Sequence, residues 1–203
     1  MALQNRVTPF GDIQALSGRG TLMGNRGVLH DEQRRLVRQW QLRRWIACRL
    51  EWRGIQRIVM SPRRYTELFF LDEAAAFAAG HRPCAECRNA DYKRFQTFWQ
   101  TCFGTRLGAD AMDDVLHAER LDSRTKRTFR APLSSLPNGV FIVGADGRPW
   151  VVWNEMLVAW TDAGYAERIA RPKRSEVDVL TPPSIVRIID AGLSPAVHPS
   201  LES

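Results

Sequence analysis

Four residues, Cys84-Ala-Glu-Cys87, hold the densest chemistry in this 203-residue chain. Two cysteines with two residues between them can turn both sulfurs toward one Zn²⁺, and the turn between them frees backbone N–H groups to bond the thiolates. Pro83 stiffens the entry, and Arg82 and Arg88 flank the pair with positive charge, which favours thiolate over thiol. A structural zinc site takes four ligands. The candidates for the others are Cys48, Cys102, His30, His81, His117 and His198. A redox pair and a plain buried pair are the alternative readings. The redox motif ordinarily follows a strand and opens a helix in a βαβ unit, whereas here a short Ala-rich helix precedes the cysteines.

The elements around the pair follow from local signals. Asp72 caps the short helix EAAAFAA, which Gly80 stops. Behind the pair a helix over about 89–103 carries Tyr92, Phe95, Trp99 and Cys102 on one stripe, and another is expected over 110–121. Upstream, Asp31 is expected to cap a helix over about 32–43. WIACRLEW (45–52) alternates like a half-buried strand and turns at Arg53-Gly54 into IQRIVM (55–60), a β-hairpin. Residues 1–30, ending in GRGTLMGNRG, read as a Gly-rich loop without the spacing of a phosphate-binding P-loop. After a basic stretch at 122–135 the pattern becomes β: VFIVG, WVVW and MLVAW with turns at LPNG and ADG. The polar run ERIARPKRSEVD follows, then a helix between Pro182-Pro183 and Gly192, and a loose terminal strap. The fold class is therefore α+β: a small hairpin with flanking helices around the knuckle, plus a β-rich C-terminal part. The partition is 1–30, 31–121 and 132–203, the last two able to share a core.

The stretch FFLDEAAAFAAGHRPCAECRNADYKRF, with the expected helix over 32–43 and a strand ending in a cysteine, WIAC, upstream, resembles the metal-binding domain of the Ada DNA-repair family over about residues 31–103. In that family a C-x-x-x-C pair and an RPCxxC pair hold zinc, and the first cysteine accepts a methyl group from a DNA phosphotriester. The resemblance implies that Cys84 and Cys87 are the second pair and Cys48 the first cysteine of the other. The position of the fourth is Trp52, so the methyl-accepting set is incomplete.

Net charge is +7, from 26 arginines and 3 lysines against 22 acidic residues. Arginine forks suit phosphate and base edges, so nucleic acid, DNA on the Ada resemblance, is the expected partner, with Arg82 and Arg88 as contacts. The arginine content also fits a GC-rich genome. Four cysteines are too few for a disulfide scaffold, no apolar run reaches about 18 residues, and the N-terminus shows no secretory pattern, which points to the cytoplasm and away from the membrane. Asp113, Asp114 and Glu119 read as a solvated helix face, and the seven tryptophans mainly as core. Three functions stay open: a zinc-knuckle protein on nucleic acid without an intact methyl-accepting site, a metal-dependent hydrolase or nuclease using the cysteine pair with His30 or His117, and a structural or regulatory protein stapled by the knuckle.

Overall fold

The computed structural model describes residues 2–54 and 58–203. An N-terminal sheet uses β1 (Gln4–Val7), β2 (Ile13–Ala15), β3 (Leu22–Asn25), β4 (Ile46–Cys48), β5 (Leu68–Phe70) and, after helix α1 (Glu73–Ala78), β6 (Arg82–Pro83). Helices α2 (Asn89–Phe103) and α3 (Ala109–Arg120) follow, then a small hairpin of β7 (Leu121–Asp122) and β8 (Thr125–Lys126). The C-terminal sheet uses β9 (Phe129–Pro132), β10 (Phe141–Val143), β11 (Pro149–Trp153), β12 (Met156–Thr161), β13 (Gly164–Ala170) and β14 (Glu176–Val179), and helix α4 (Pro183–Asp190) covers it. Strand order is β2-β1-β5-β3-β4-β6 in the first large sheet and β13-β12-β11-β10-β14-β9 in the second. The class is α+β with a β-rich C-terminal part. No helix among the described residues is long and apolar enough to cross a membrane.

The local signals placed most elements downstream of residue 68. Asp72 Oδ1 accepts from Ala75 N at 2.8 Å, so it is the N-cap of α1. Pro182 and Pro183 open α4, and the stripe of α2 is buried at Tyr92, Phe95 and Trp99. Phe95, Trp99, Met112 and Leu116 from α2 and α3 pack in one cluster with Ile142 and Val152 of the second sheet and Ile185 and Ile188 of α4. The knuckle region and the β-rich region therefore share a core. Each large side chain in it contributes on the order of 1.5–3 kcal/mol of burial.

Upstream the structure corrects the sequence reading. Residues 1–30 hold three strands rather than a loop. Their glycines serve close backbone approach: a Cβ on Gly24 would lie 2.2 Å from Ile46 O, and one on Gly20 2.2 Å from Phe70 O. No helix forms over 32–43. Asp31 Oδ1 accepts from Gln33 N and Arg35 N at 3.0 and 2.9 Å, and Arg34 sits at φ 60°. The capping residue closes a tight turn instead, a competition that short acidic side chains often win. The chain then folds back, with Val37 N donating to Leu29 O and Gln41 N to Arg26 O. Of the expected hairpin, only residues 46–48 form a strand; the return strand falls partly on 55–57, which lie outside the described residues, and 58–60 form none. The polar run 167–178 supplies parts of β13 and β14. The terminal strap is anchored, with His198 N and Ala196 N bound to Asp72 and Glu73, and Leu201 fully buried.

Candidate metal centre

The path into the knuckle is fixed by α1 and its end. All six residues of α1 are buried, which its small alanine side chains permit. The helix closes with His81 N donating to Ala76 O at 2.9 Å and Gly80 N to Phe77 O at 2.8 Å, a Schellman arrangement. Gly80 adopts φ +85°, and a Cβ there would lie 2.6 Å from Arg120 Cδ. Only glycine meets both demands. The chain leaves as β6, which pairs in parallel with β4: Ile46 opposite Arg82, Ala47 opposite Pro83. The next step of that register sets Cys48 beside Cys84, and Cys84 N donates to Ala47 O at 2.9 Å. On its other side β4 pairs with β3, Cys48 opposite Met23.

The sulfurs of Cys48, Cys84 and Cys87 all lie within 4.8 Å of one another, and all three residues are buried. Backbone N–H groups of Cys87 and Glu86 bond the Cys84 sulfur, and Arg49 N donates to the Cys87 sulfur at 3.4 Å. Met23, Ile46, Trp52, Tyr65 and Phe69 pack around the trio. The Cys84 thiol falls to about 5, chiefly because the Cys48 thiol donates to it, with the backbone N–H groups adding to the effect against the cost of burial. Cys48, which keeps that proton, is pushed up by the hydrogen bond to Cys84 and then by burial; Cys87 is pushed up mainly by burial. A trio that already shares negative charge and directs N–H groups at its sulfurs is a donor set suited to a thiophilic cation. The three cysteines could hold a metal ion.

The other candidates are elsewhere. Among the described residues, no histidine nitrogen or carboxylate oxygen joins the three sulfurs. His81 turns away from the knuckle: its Nε2 accepts from Arg26 Nε at 3.2 Å and its ring meets Phe70 and Trp45. His30 bonds Thr66 Oγ1 at 2.6 Å and Ser61 O at 3.1 Å. His117 accepts from Arg120 and packs edge-on against Trp40. His198 caps the last turn of the chain at Ser200. The Cys102 sulfur bonds Arg187 O at 3.5 Å against α4. Trp52 packs on the trio.

Arg82 and Arg88, expected on a nucleic-acid face, lie inside. Arg82 is 1 % exposed and forms a two-pronged pair with Asp113, Nε to Oδ1 at 3.0 Å and Nη2 to Oδ2 at 2.7 Å. Arg88 bridges Glu73 of α1 at 2.5 Å and Asp91 of α2 at 2.8 Å. Asp113 is thus not on a solvated face. Glu119 is not one either: it accepts from Ser184 N and Oγ at the start of α4. Only Asp114 matches that reading, in an exposed pair with Arg43. Apart from Asp91, three residues beyond Arg88, these partners are distant in sequence, so spacing carried no signal for them. The chain matches no family model, no curated protein and no solved structure.

Proposed function

We propose that this is a zinc-binding, nucleic-acid-associated protein related in design to the Ada metal-binding domain, with Cys48, Cys84 and Cys87 as metal ligands and no methyl-accepting role. The observation that carries the metal half is the meeting of Cys48 with the Cys84/Cys87 knuckle, three sulfurs within 4.8 Å under three backbone N–H donors. Zinc would supply structural cross-linking here. Three thiolates on Zn²⁺ carry net negative charge, and the N–H groups from Glu86, Cys87 and Arg49 offset it.

The nucleic-acid half rests on the net charge of +7 and on the Ada resemblance. With Arg82 and Arg88 committed to internal carboxylates, the contact falls to exposed arginines. Arg34, Arg35, Arg38, Arg43 and Arg44 lie exposed on the one loop that leads into β4. DNA is the expected form. No histidine stands at the cysteine trio, so the hydrolase reading has no acid–base partner there.

Elemental analysis of protein purified without a histidine tag tests the first half. One zinc per chain, lost in Cys84→Ser, supports it; a folded, metal-free protein that takes up no zinc on titration sinks it. For the second half, binding to duplex and single-stranded DNA is measured across a salt series. Phosphate contacts require affinity to fall steeply with salt, and removing three loop arginines together should flatten the slope by about 2–3. A salt-independent or absent interaction refutes it.

A further inference from the structure

Away from the cysteines, two parts of the chain distant in sequence, the residue after β3 and the end of α3 with the hairpin that follows it, bring cations together around Trp45. Two guanidinium groups stack on Trp45, Arg26 at 3.7 Å and Arg120 at 4.1 Å from its ring centre. Arg26 is 1 % exposed and Arg120 fully buried. Lys126 of β8 joins them, its ammonium donating to Ala78 O at 2.5 Å. Arg26, Arg120 and Lys126, with Arg124 at the rim, line one small cavity of about 40 Å³, where the single carboxylate is Asp12, which is exposed. Among the described residues, none of these four cations is within salt-bridge distance of a carboxylate.

Buried charge without a paired counter-ion is expensive, and elsewhere in this protein it is neutralised in contact: Arg82 has Asp113, and Arg88 has Glu73, whereas Asp113 acts on Arg120, and Asp12 on Arg26 and Lys126, only from beyond salt-bridge distance. Here the donors are partly spent on neutral acceptors. Arg26 Nη1 donates to Gly11 O, Arg120 Nη1 to Gly80 O and Arg120 Nη2 to Arg43 O. Arg26 Nη2 and Arg120 Nε, both buried, have no partner, and neither has Nδ1 of His81, which stands behind Arg26. Below about pH 7, where Lys126 is charged, two of its three ammonium protons also remain for a ligand. Cations converging on a concave, half-dry site with spare donors match a compact anion.

Size and surroundings narrow the anion. A water needs about 10–15 Å³ of such space, so the cavity admits a few oxygen-sized atoms, the scale of a phosphoryl group. The cavity shares Gln39, Trp40 and Arg124 with an outer groove of about 490 Å³. Half-buried Trp40 and exposed Arg38 and Arg124 line that groove, an aromatic surface beside cations. We infer that the pocket binds the phosphoryl group of a phosphomonoester, with a nucleoside in the outer groove against Trp40. The phosphate could belong to a free mononucleotide or to the end of an oligonucleotide.

The test uses the full chain and isothermal titration with inorganic phosphate, adenosine, adenosine 5′-monophosphate, and a short single-stranded oligonucleotide with and without a 5′-phosphate. The monophosphate should bind at least about tenfold more tightly than adenosine, and Lys126→Gln and Arg124→Ala should each reduce that preference by about three- to tenfold without changing the adenosine affinity. Arg124 is exposed, so its variant is readable even if Lys126→Gln perturbs folding. A 5′-phosphate that raises oligonucleotide affinity by a similar factor assigns the pocket to strand ends; a preference confined to the mononucleotide assigns it to a small molecule. Equal binding of nucleoside and nucleotide, or a phosphate preference untouched by both substitutions, overturns the inference. Oligonucleotide binding that is indifferent to the 5′-phosphate, found together with equal binding of adenosine and its monophosphate, leaves the proposed nucleic-acid role standing while removing this one.

Discussion

Arg82 is the residue for which sequence and structure assign opposite jobs, and stability decides between them. Its guanidinium makes two hydrogen bonds to Asp113 and one, at 3.0 Å, to Pro83 O, and it lies 5.4 Å from the Tyr92 ring. Replacing it with Met keeps most of the apolar stem but leaves Asp113, 3 % exposed at its side chain, without its counter-charge. Breaking a buried pair from one side costs about 3–5 kcal/mol. In a chain of this size that corresponds to a melting-temperature loss of roughly 6–20 °C. Replacing both partners, Arg82→Met with Asp113→Leu, removes the stranded charge and should restore most of the loss, to within about 1–2 kcal/mol of the parent. Urea denaturation of the parent, both single variants and the double variant gives the coupling energy directly. If Arg82→Met costs less than about 1 kcal/mol while weakening DNA binding, the residue is a surface contact and the internal assignment fails.

Other outcomes follow from the same geometry. Cys48→Ser should weaken zinc binding by about two to four orders of magnitude, since a structural site worth about 10–16 kcal/mol divides over three cysteines into roughly 3–5 kcal/mol per ligand; competition with a chromophoric chelator measures it, and unchanged affinity removes Cys48 from the ligand set. Gly80→Ala should lose about 2–4 kcal/mol in urea unfolding, because φ +85° strains any side chain and the added carbon meets Arg120; a loss below about 0.5 kcal/mol contradicts the close approach. Burial, with Arg26 and Arg120 beside it and only Asp12 opposing them, lowers the Lys126 ammonium to about 7. Between about 7 and the ordinary lysine value near 10.5 the unfolded chain holds a proton that the folded chain has released. Stability should therefore rise with pH across that window, by on the order of 1 kcal/mol per unit, and Lys126→Met should remove that slope; identical slopes in parent and variant refute the assignment.

What the sequence revealed was local. Asp72 before an alanine run, Gly80 after it and the paired cysteines beyond are signals within a few residues of the structure they specify, and each element appears where its signal stands. The aromatic stripe of α2 behaves likewise, because its period is set by the helix itself. Asp31 shows where this fails: a residue able to cap a helix can equally close a turn, and the backbone bonds from 37 and 41 to Leu29 and Arg26 decided the contest from outside the segment. Arg82 and Arg88 carried correct charge but no record of Asp113 and Glu73, their distant partners. Cys48 stood among the candidate ligands by residue type alone, while the cause of its meeting Cys84 is the parallel register of β4 on β6. The cations around Trp45 left no trace in spacing, because Arg26 and the 120–126 stretch that meet there are almost a hundred residues apart.

The joining of Cys48 to Cys84 also has a polymer consequence. A metal on the trio would close a loop of about 36 residues, which in the unfolded ensemble corresponds to roughly 4 kcal/mol of lost chain entropy, by analogy with a disulfide of that span. That loop contains β5 and α1, the elements that present the knuckle. Cross-linking at its two ends would thus fold the bond and its own scaffold in one step, making ion uptake a topological event: the ring of chain is drawn shut around the helix that aims the ligands.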